Sequence, residues 1–309
     1  MTAPVTNPKI VSLLPAATEI VCALGFERSL VGRSHECDYP NDVETLPICT
    51  RALIRPEGSS AEIDTQVKDA LKNALSIYEV LSDELEHLKP DVIVTQDQCE
   101  VCAVALSDVE AAVCDLLDND AKIVSLNPEG LEKVYADIER VASALDAKAK
   151  GGELINSIKD GFAAISANAP DERPRVCCVE WTDPLMAAGN WVPELVEIAG
   201  GEDVFGEAGA HAPWLEPERL FIENPDVIVF MPCGFGLERS EAEARALLAT
   251  PEWQNLTAVK NGRVYATDGN SYFNRPGPRL LESAQILFEI LYPDATTPTY
   301  KNTAWKAVT

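Results

Sequence analysis

The sequence predicts an α/β protein of two lobes, each built on a mostly parallel sheet, with one long α-helix joining them. Three observations carry that expectation. Short apolar runs alternate with stretches of helical periodicity along most of the chain. Residues 147–167 are helical in pattern and hold no strand signal. One strand signature, Pro-Asp-Val-Ile-Val, occurs twice. The 309 residues suffice for two cores, placed at residues 1–145 and 171–309, with the connecting helix at 146–170 and a tail after the last helix.

In the first lobe the apolar run 10–14 is a strand, and Pro15 opens a helix that stops at Gly25. A second strand begins at Leu30 and ends in the polar loop 34–40. Ser59 and Glu62 form a capping-box pattern, after which Ile63, Val67, Ala70, Leu71 and Ala74 share one helical face. A short helix at 80–88, a strand at 91–95, a helix at 108–117, a strand at 122–126 and an amphipathic helix at 129–145 follow. In the second lobe, strands at 175–180, 227–231 and 263–267 alternate with helices at 192–199, 215–222, 238–248 and 278–291. Strands separated by helices need crossover connections, which is why the sheets are expected to be parallel.

The repeated pentapeptide starts at Pro90 and again at Pro225, 135 positions later. Each copy follows a short helix and precedes a cysteine, Cys99 in one case and Cys233 in the other. The matching contexts point to a structural repeat. Ligands of open α/β sheets sit outside the carboxyl ends of the strands, where both cysteines fall. Two such lobes facing each other would hold a ligand in a cleft between them.

Fifty acidic against 25 basic residues leave a net charge of −25. That balance disfavours nucleic-acid phosphates and anionic membrane surfaces as partners. Residues 1–9 show no basic stretch leading into an apolar core, and the next apolar run is too short to span a bilayer. The expectation is a cytoplasmic chain with no membrane insertion, or a periplasmic one if its start or export route is unrecognised. Nine cysteines, an odd number, suit a reducing compartment.

The loop after the strand at 91–95 carries Gln96, Gln98, Cys99 and Cys102. A Cys-x-x-Cys pair reads as buried thiols, as soft-metal ligands or as a redox dithiol, and the spacing alone leaves all three open. His35, Glu36 and Cys37 crowd another strand end, with Cys49 and Thr50 shortly after. Trp181, Trp191, Trp214, Tyr272 and Phe273 cluster at predicted strand and loop ends, where aromatic faces suit a flat ligand or simply pack the core. Arg275 lies where it would meet an anionic ligand group. No dinucleotide fingerprint, phosphate-binding loop, nucleophile elbow or zinc-protease helix occurs. The lack of a complete catalytic constellation favours binding over turnover.

The runs from Ile10 to Gly25 and from Leu30 to Pro40, the segment from Leu88 to Thr95, Val196 to Phe205, and Arg275-Pro-Gly-Pro-Arg279 resemble the periplasmic cobalamin and iron-siderophore binding proteins of ABC importers. The resemblance spans roughly residues 8–292 and is nearest to the cobalamin-binding branch. It implies two Rossmann-like lobes joined by a long helix, with a corrin ring held by aromatic and polar loops. Carried onto this chain, it implies ligand contacts from the loop 34–40, Cys49, Thr50, Glu180, Trp181, Trp214, Cys233, Tyr272 and Arg275. It also implies that Glu84 and Glu218 dock onto an ABC permease, and it fits a monomer that carries a small-molecule metal complex.

The thiols add a further expectation. His35, Cys37, Cys99, Cys102 and Cys233 would suit a soft or borderline metal centre, in the metal of a bound corrinoid or as a bare zinc or copper site. A chelatase-like corrinoid-processing enzyme is the enzymatic alternative, with His35, Glu36 or Glu180 as its base.

Overall fold

Each sheet grows outward from a strand with no polar face to show to water. The computed structural model describes residues 7–72, 77–96 and 121–308. Within it the chain forms two compact units, one of residues 1–128 and 132–156, the other of residues 129–131 and 157–309.

In the first unit, Ile10–Ser12 (β1), Leu30–Arg33 (β2), Val92–Gln96 (β5) and Lys122–Leu126 (β6) form a fully parallel sheet in the order β2-β1-β5-β6. The strands β1 and β5 are buried along their whole length, as central parallel strands require. Thr50–Ala52 (β3) and Tyr78–Val80 (β4) add a small antiparallel ribbon. The helices are Pro15–Ala23 (α1), Ser60–Lys72 (α2), Ser82–Leu88 (α3) and Leu131–Ala144 (α4). The capping box before α2 is present: the Ser59 amide and hydroxyl both donate to Glu62 Oε2, and the Glu62 amide donates to Ser59 Oγ.

On α4, Asp137 is buried and accepts from the Asn127 amide and from Arg140. Burial outweighs these partners and raises its carboxyl to about 6. A carboxyl whose folded value exceeds its unfolded one stabilises below the unfolded value and loses that contribution as pH rises through the folded one. Stability is therefore expected to fall between about pH 4 and pH 7, and Asp137→Asn should flatten that slope. Urea unfolding at stepped pH checks this; an unchanged slope in the variant would contradict it.

The helix Lys148–Asn168 (α5) carries the chain from the residues of the first unit into those of the second. There, Arg175–Thr182 (β7), Glu202–Asp203 (β9), Val227–Phe230 (β10) and Val264–Thr267 (β11) run parallel in the order β9-β7-β10-β11. Leu185–Ala187 (β8) returns antiparallel on β7, and Trp305–Ala307 (β12) closes the other edge antiparallel on β11. The remaining helices are Val192–Ile198 (α6), Pro217–Glu223 (α7), Leu237–Leu248 (α8), Thr257–Lys260 (α9) and Leu280–Leu291 (α10).

The repeat read from Pro90 and Pro225 extends well beyond the pentapeptide. Both parallel sheets place the second strand on one side of the first and the third and fourth on the other. Lys89 and Asn224 both end their helices in left-handed conformation, at φ 50° and 47°, with amides donating to Leu85 and Leu220 carbonyls. Asp91 and Asp226 each accept the amide that opens the first strand of their unit, from Lys9 and Arg175 respectively. The side chains of Lys9 and Arg175 then donate to the helix-terminal carbonyls of Leu88 and Glu223.

The structure departs from the expected elements mainly in its short strands. Val80, expected to open a helix, instead ends the strand β4, and the helix starts at Ser82. The strands β3, β8 and β12 are additions that pair antiparallel. The helix expected at 108–117 lies outside the described residues. Among the described residues, no helix is long and apolar enough to cross a membrane.

Candidate functional site

The parallel order switches sides between β1 and β5 in one unit and between β7 and β10 in the other, and binding loops of such sheets gather at the carboxyl ends there. In the first unit the loop after β2 is closed by its own backbone. The Arg33 amide donates to Pro47 O and the Cys49 amide donates to Arg33 O. Inside this loop the Arg33 guanidinium, only 8% exposed, donates to the carbonyls of Ser34, Cys37 and Glu44 at 3.0–3.1 Å. One buried cation thus gathers a stretch of chain that has no regular hydrogen-bond ladder.

Held on this loop, His35 is half-buried. Its amide donates to Thr50 Oγ1 at 3.1 Å and its Nδ1 lies 2.8 Å from the same oxygen. The Thr50 hydroxyl in turn donates to Ser34 Oγ at 2.9 Å. Burial, with Arg33 nearby, lowers the His35 imidazole from its ordinary value, which keeps it neutral at physiological pH. Tyr78 of β4 sets its ring 5.5 Å from the imidazole and donates its hydroxyl to Glu36 Oε1. Tyr39, Ile48 and Leu53 stand exposed around this loop.

In the second unit, Trp181 at the end of β7 packs on Phe235 at 5.2 Å between ring centres, and the Arg239 guanidinium lies 3.5 Å from the centre of the Phe235 ring. The Trp181 indole N–H donates to Asp183 O. Cys233 follows β10 and is exposed; its amide donates to Glu180 O. Trp214, bridged to Met186, leaves 56% of its surface in water. Tyr272 is half-buried beneath Arg279.

Several residues expected to face a ligand are turned inward. Cys49 corrects that expectation most clearly. Its sulfur sits in the apolar cluster of Val11, Leu13, Val80, Leu85 and Ile93, and a Cβ on Gly32 would come within 2.6 Å of it. Burial pushes its thiol up to about 12, so it fills space as a small hydrophobe. Cys37 is buried with its sulfur accepting from the Thr18 hydroxyl at 3.0 Å. Trp191 is buried with its indole donating to Phe273 O, and Phe273, Arg275 and Gln96 are buried too.

The metal reading of His35, Cys37 and Cys233 gains no cluster: among the described residues, no three His, Cys, Asp or Glu side chains converge to hold an ion. Gln98, Cys99 and Cys102 lie outside the described residues. Arg33, Tyr78, Phe235 and Arg239 belong to the site region and were not singled out from the sequence. The only sequence signal for the last pair was Gly234-Phe-Gly236 directly after a strand.

Glu84 lies on α3 and Glu218 on α7, the latter exposed. In the register of the repeat, with Leu85 matching Leu220, Glu218 answers to the exposed Asp83 rather than to Glu84.

The family described as "Periplasmic binding protein" matches residues 10–270. An uncharacterised ABC transporter substrate-binding lipoprotein of Bacillus subtilis is 27% identical over 296 residues, covering 93% of this chain and 80% of its own length. A vitamin B12-binding protein of Vibrio cholerae is 24% identical over 295 residues, covering 91% and 88%. Among solved structures, a periplasmic heme-binding protein of Roseiflexus superposes with a TM-score of 0.69 at 23% identity, covering 94% of this chain and all of the other.

Proposed function

We propose, because the chain belongs to the periplasmic binding protein family, that it captures a corrinoid such as cobalamin through the loop side chains at the carboxyl ends of its two sheets. The exposed Trp214 carries this reading. A large indole left in water at a loop where such sheets bind is best accounted for by a flat apolar partner that covers it. The half-buried Trp181, opposite Met186, which bridges to Trp214, and the exposed Tyr39, Ile48 and Leu53 of the first unit add aromatic and apolar surface. The B12-binding relatives favour a corrin over other macrocycles. His35, Glu36, Glu180, Cys233 and Tyr272 are the polar contacts of this reading.

As an importer component, the chain would hand its ligand to an ABC permease, with Glu218 and Asp83 or Glu84 meeting basic residues there. That role requires the protein outside the cytoplasmic membrane. Cell fractionation that finds it in the cytosol would confine it to intracellular corrinoid handling.

Mixing purified protein with hydroxocobalamin is expected to shift the visible spectrum, raise thermal stability by mass action and quench Trp fluorescence. Trp214→Ala should weaken binding about tenfold or more, as loss of a buried aromatic contact does. Preference for hemin would move the reading to a porphyrin, and chemical alteration of the released corrinoid would move it to processing. No response to either compound would overturn it.

A further inference from the structure

The structure assigns Tyr300, in the C-terminal segment, as the positioning residue of the loop that follows β11: its ring holds Tyr272, and with it the turn that the loop forms. The inference rests on the corrinoid reading and concerns how the second unit keeps one binding loop in shape before the cargo arrives.

The loop leaves β11 at its carboxyl end, where sheets of this kind bind. Gly269–Phe273 form a single π-helical turn, closed by the Asn274 amide on Gly269 O at 3.0 Å and capped by Asp268, which accepts the Ser271 amide. Such turns are rare and recur at functional sites. One side of the turn is tied to neighbouring loops. The Asn270 amide donates to Phe235 O, the Asn274 carboxamide to Met231 O and the Trp191 indole to Phe273 O. A Cβ on Gly269 would come within 2.4 Å of Pro232 O, so only glycine fits there. Among the described residues, the side chains of Asn270 and Ser271, both half-buried, bond to no other group. They leave a carboxamide and a hydroxyl for a ligand to meet.

The C-terminal segment holds the other side. The Asp268 amide donates to Ala304 O at 2.8 Å, and the Tyr300 ring meets the Tyr272 ring edge-on at 6.1 Å between centres. Tyr300 is itself held at every polar atom. Its amide donates to the Glu289 carboxylate, its carbonyl accepts the Thr303 and Ala304 amides, and its hydroxyl lies 2.8 Å from Gln285 Oε1. A ring pinned in this way limits where Tyr272 can move. A loop already in its bound shape avoids the ordering cost of binding, which is how a residue remote from the ligand raises affinity.

The test combines hydrogen exchange with hydroxocobalamin titration. In the wild type, the amides of Tyr272, Asn274 and Ala304, which bond the carbonyls of Asp268, Gly269 and Tyr300, should open together as one cooperative unit. Tyr300→Leu should speed exchange at Tyr272 and Asn274 and weaken hydroxocobalamin binding about 3–10-fold. Tyr300→Phe keeps the ring edge on Tyr272 and should bind within about twofold of the wild type. Tyr292→Phe controls for general loss of stability. It removes a hydroxyl that bonds Glu172 O and Gly200 O near the amino end of β7, so it should lower the unfolding midpoint without weakening binding. A folded Tyr300→Leu that binds as the wild type does, or an equal loss of affinity in Tyr292→Phe, would overturn the inference and leave the corrinoid reading standing. If Tyr300→Leu fails to fold, turn amides that open independently of Ala304 in the wild type overturn it instead. Failure of the wild type to bind hydroxocobalamin overturns the reading on which the inference rests, while the exchange coupling still decides the hold of Tyr300 on the turn.

Discussion

Arg33→Met is expected to destabilise the protein by about 2–4 kcal/mol, because it removes charge-assisted donors from several carbonyls at once. The carbonyls of Ser34, Cys37 and Glu44 all accept from this one guanidinium, and the Cys37 amide also donates to Ser34 O. No helix or strand offers them other donors, since the segment between β2 and β3 has only a short 3-10 turn at Asn41–Thr45. Methionine fills most of the arginine's stem volume, so the loss reads the hydrogen bonds more than a cavity. Because His35 sits on this loop, the variant should also bind hydroxocobalamin more weakly. Arg51→Met is the matched control. Its partner Glu79 and Arg51 itself are both exposed, and such a pair contributes about 0–1 kcal/mol. Urea unfolding of both variants checks this; equal losses would contradict the buried role of Arg33.

Glu289→Leu is expected to cost about 3–5 kcal/mol, the range for leaving a set of buried donors without their charged acceptor. Glu289 is 4% exposed on α10. Its carboxylate accepts the Thr299 amide at 2.5 Å, the Tyr300 amide at 3.1 Å and the Trp305 indole at 2.7 Å. One side chain thereby holds the C-terminal segment that forms β12, whose Trp305 packs edge-on against Tyr265 of β11. Its loss should free this segment first. Hydrogen exchange at the Val308 amide, which bonds Val264 O, reads that release directly. Full protection of Val308 in the variant would contradict the account.

The alternation of strands and helices was legible because its signals are local: apolar runs, Pro15 at a helix start, the Ser59–Glu62 box. The repeat showed itself through Pro90 and Pro225 for the same reason, since the left-handed helix end, the proline and the aspartate fall within three consecutive residues. Its other half was not legible. Lys9 and Arg175 lie far from the helix ends they bond, and nothing in a lone basic residue marks a distant carbonyl. The antiparallel additions were missed on the same ground. β3 and β4 are three residues each and 25 residues apart, so neither has enough length to show a period.

At the site, residue type misled in both directions. Cys49 and Cys37 read as ligands because they sit near strand ends, yet a thiol is also one of the most readily buried side chains. Arg33 was not singled out, although its place at the end of β2, directly before a polar loop, put its guanidinium among carbonyls. His35, Trp181 and Trp214 were singled out as candidates because a histidine or tryptophan at a strand end suits a ligand contact as well as it suits packing. Their exposure, by contrast, depends on tertiary packing that no local pattern records.

The loops at the sheet ends are proposed to hold a corrinoid. Calorimetric titration of the purified chain with hydroxocobalamin, followed in parallel by Trp fluorescence, tests it most directly. Saturable binding of one corrinoid per chain is expected, with quenching that is reduced in Trp214→Ala. The absence of both heat and quenching with the folded wild-type protein would contradict it.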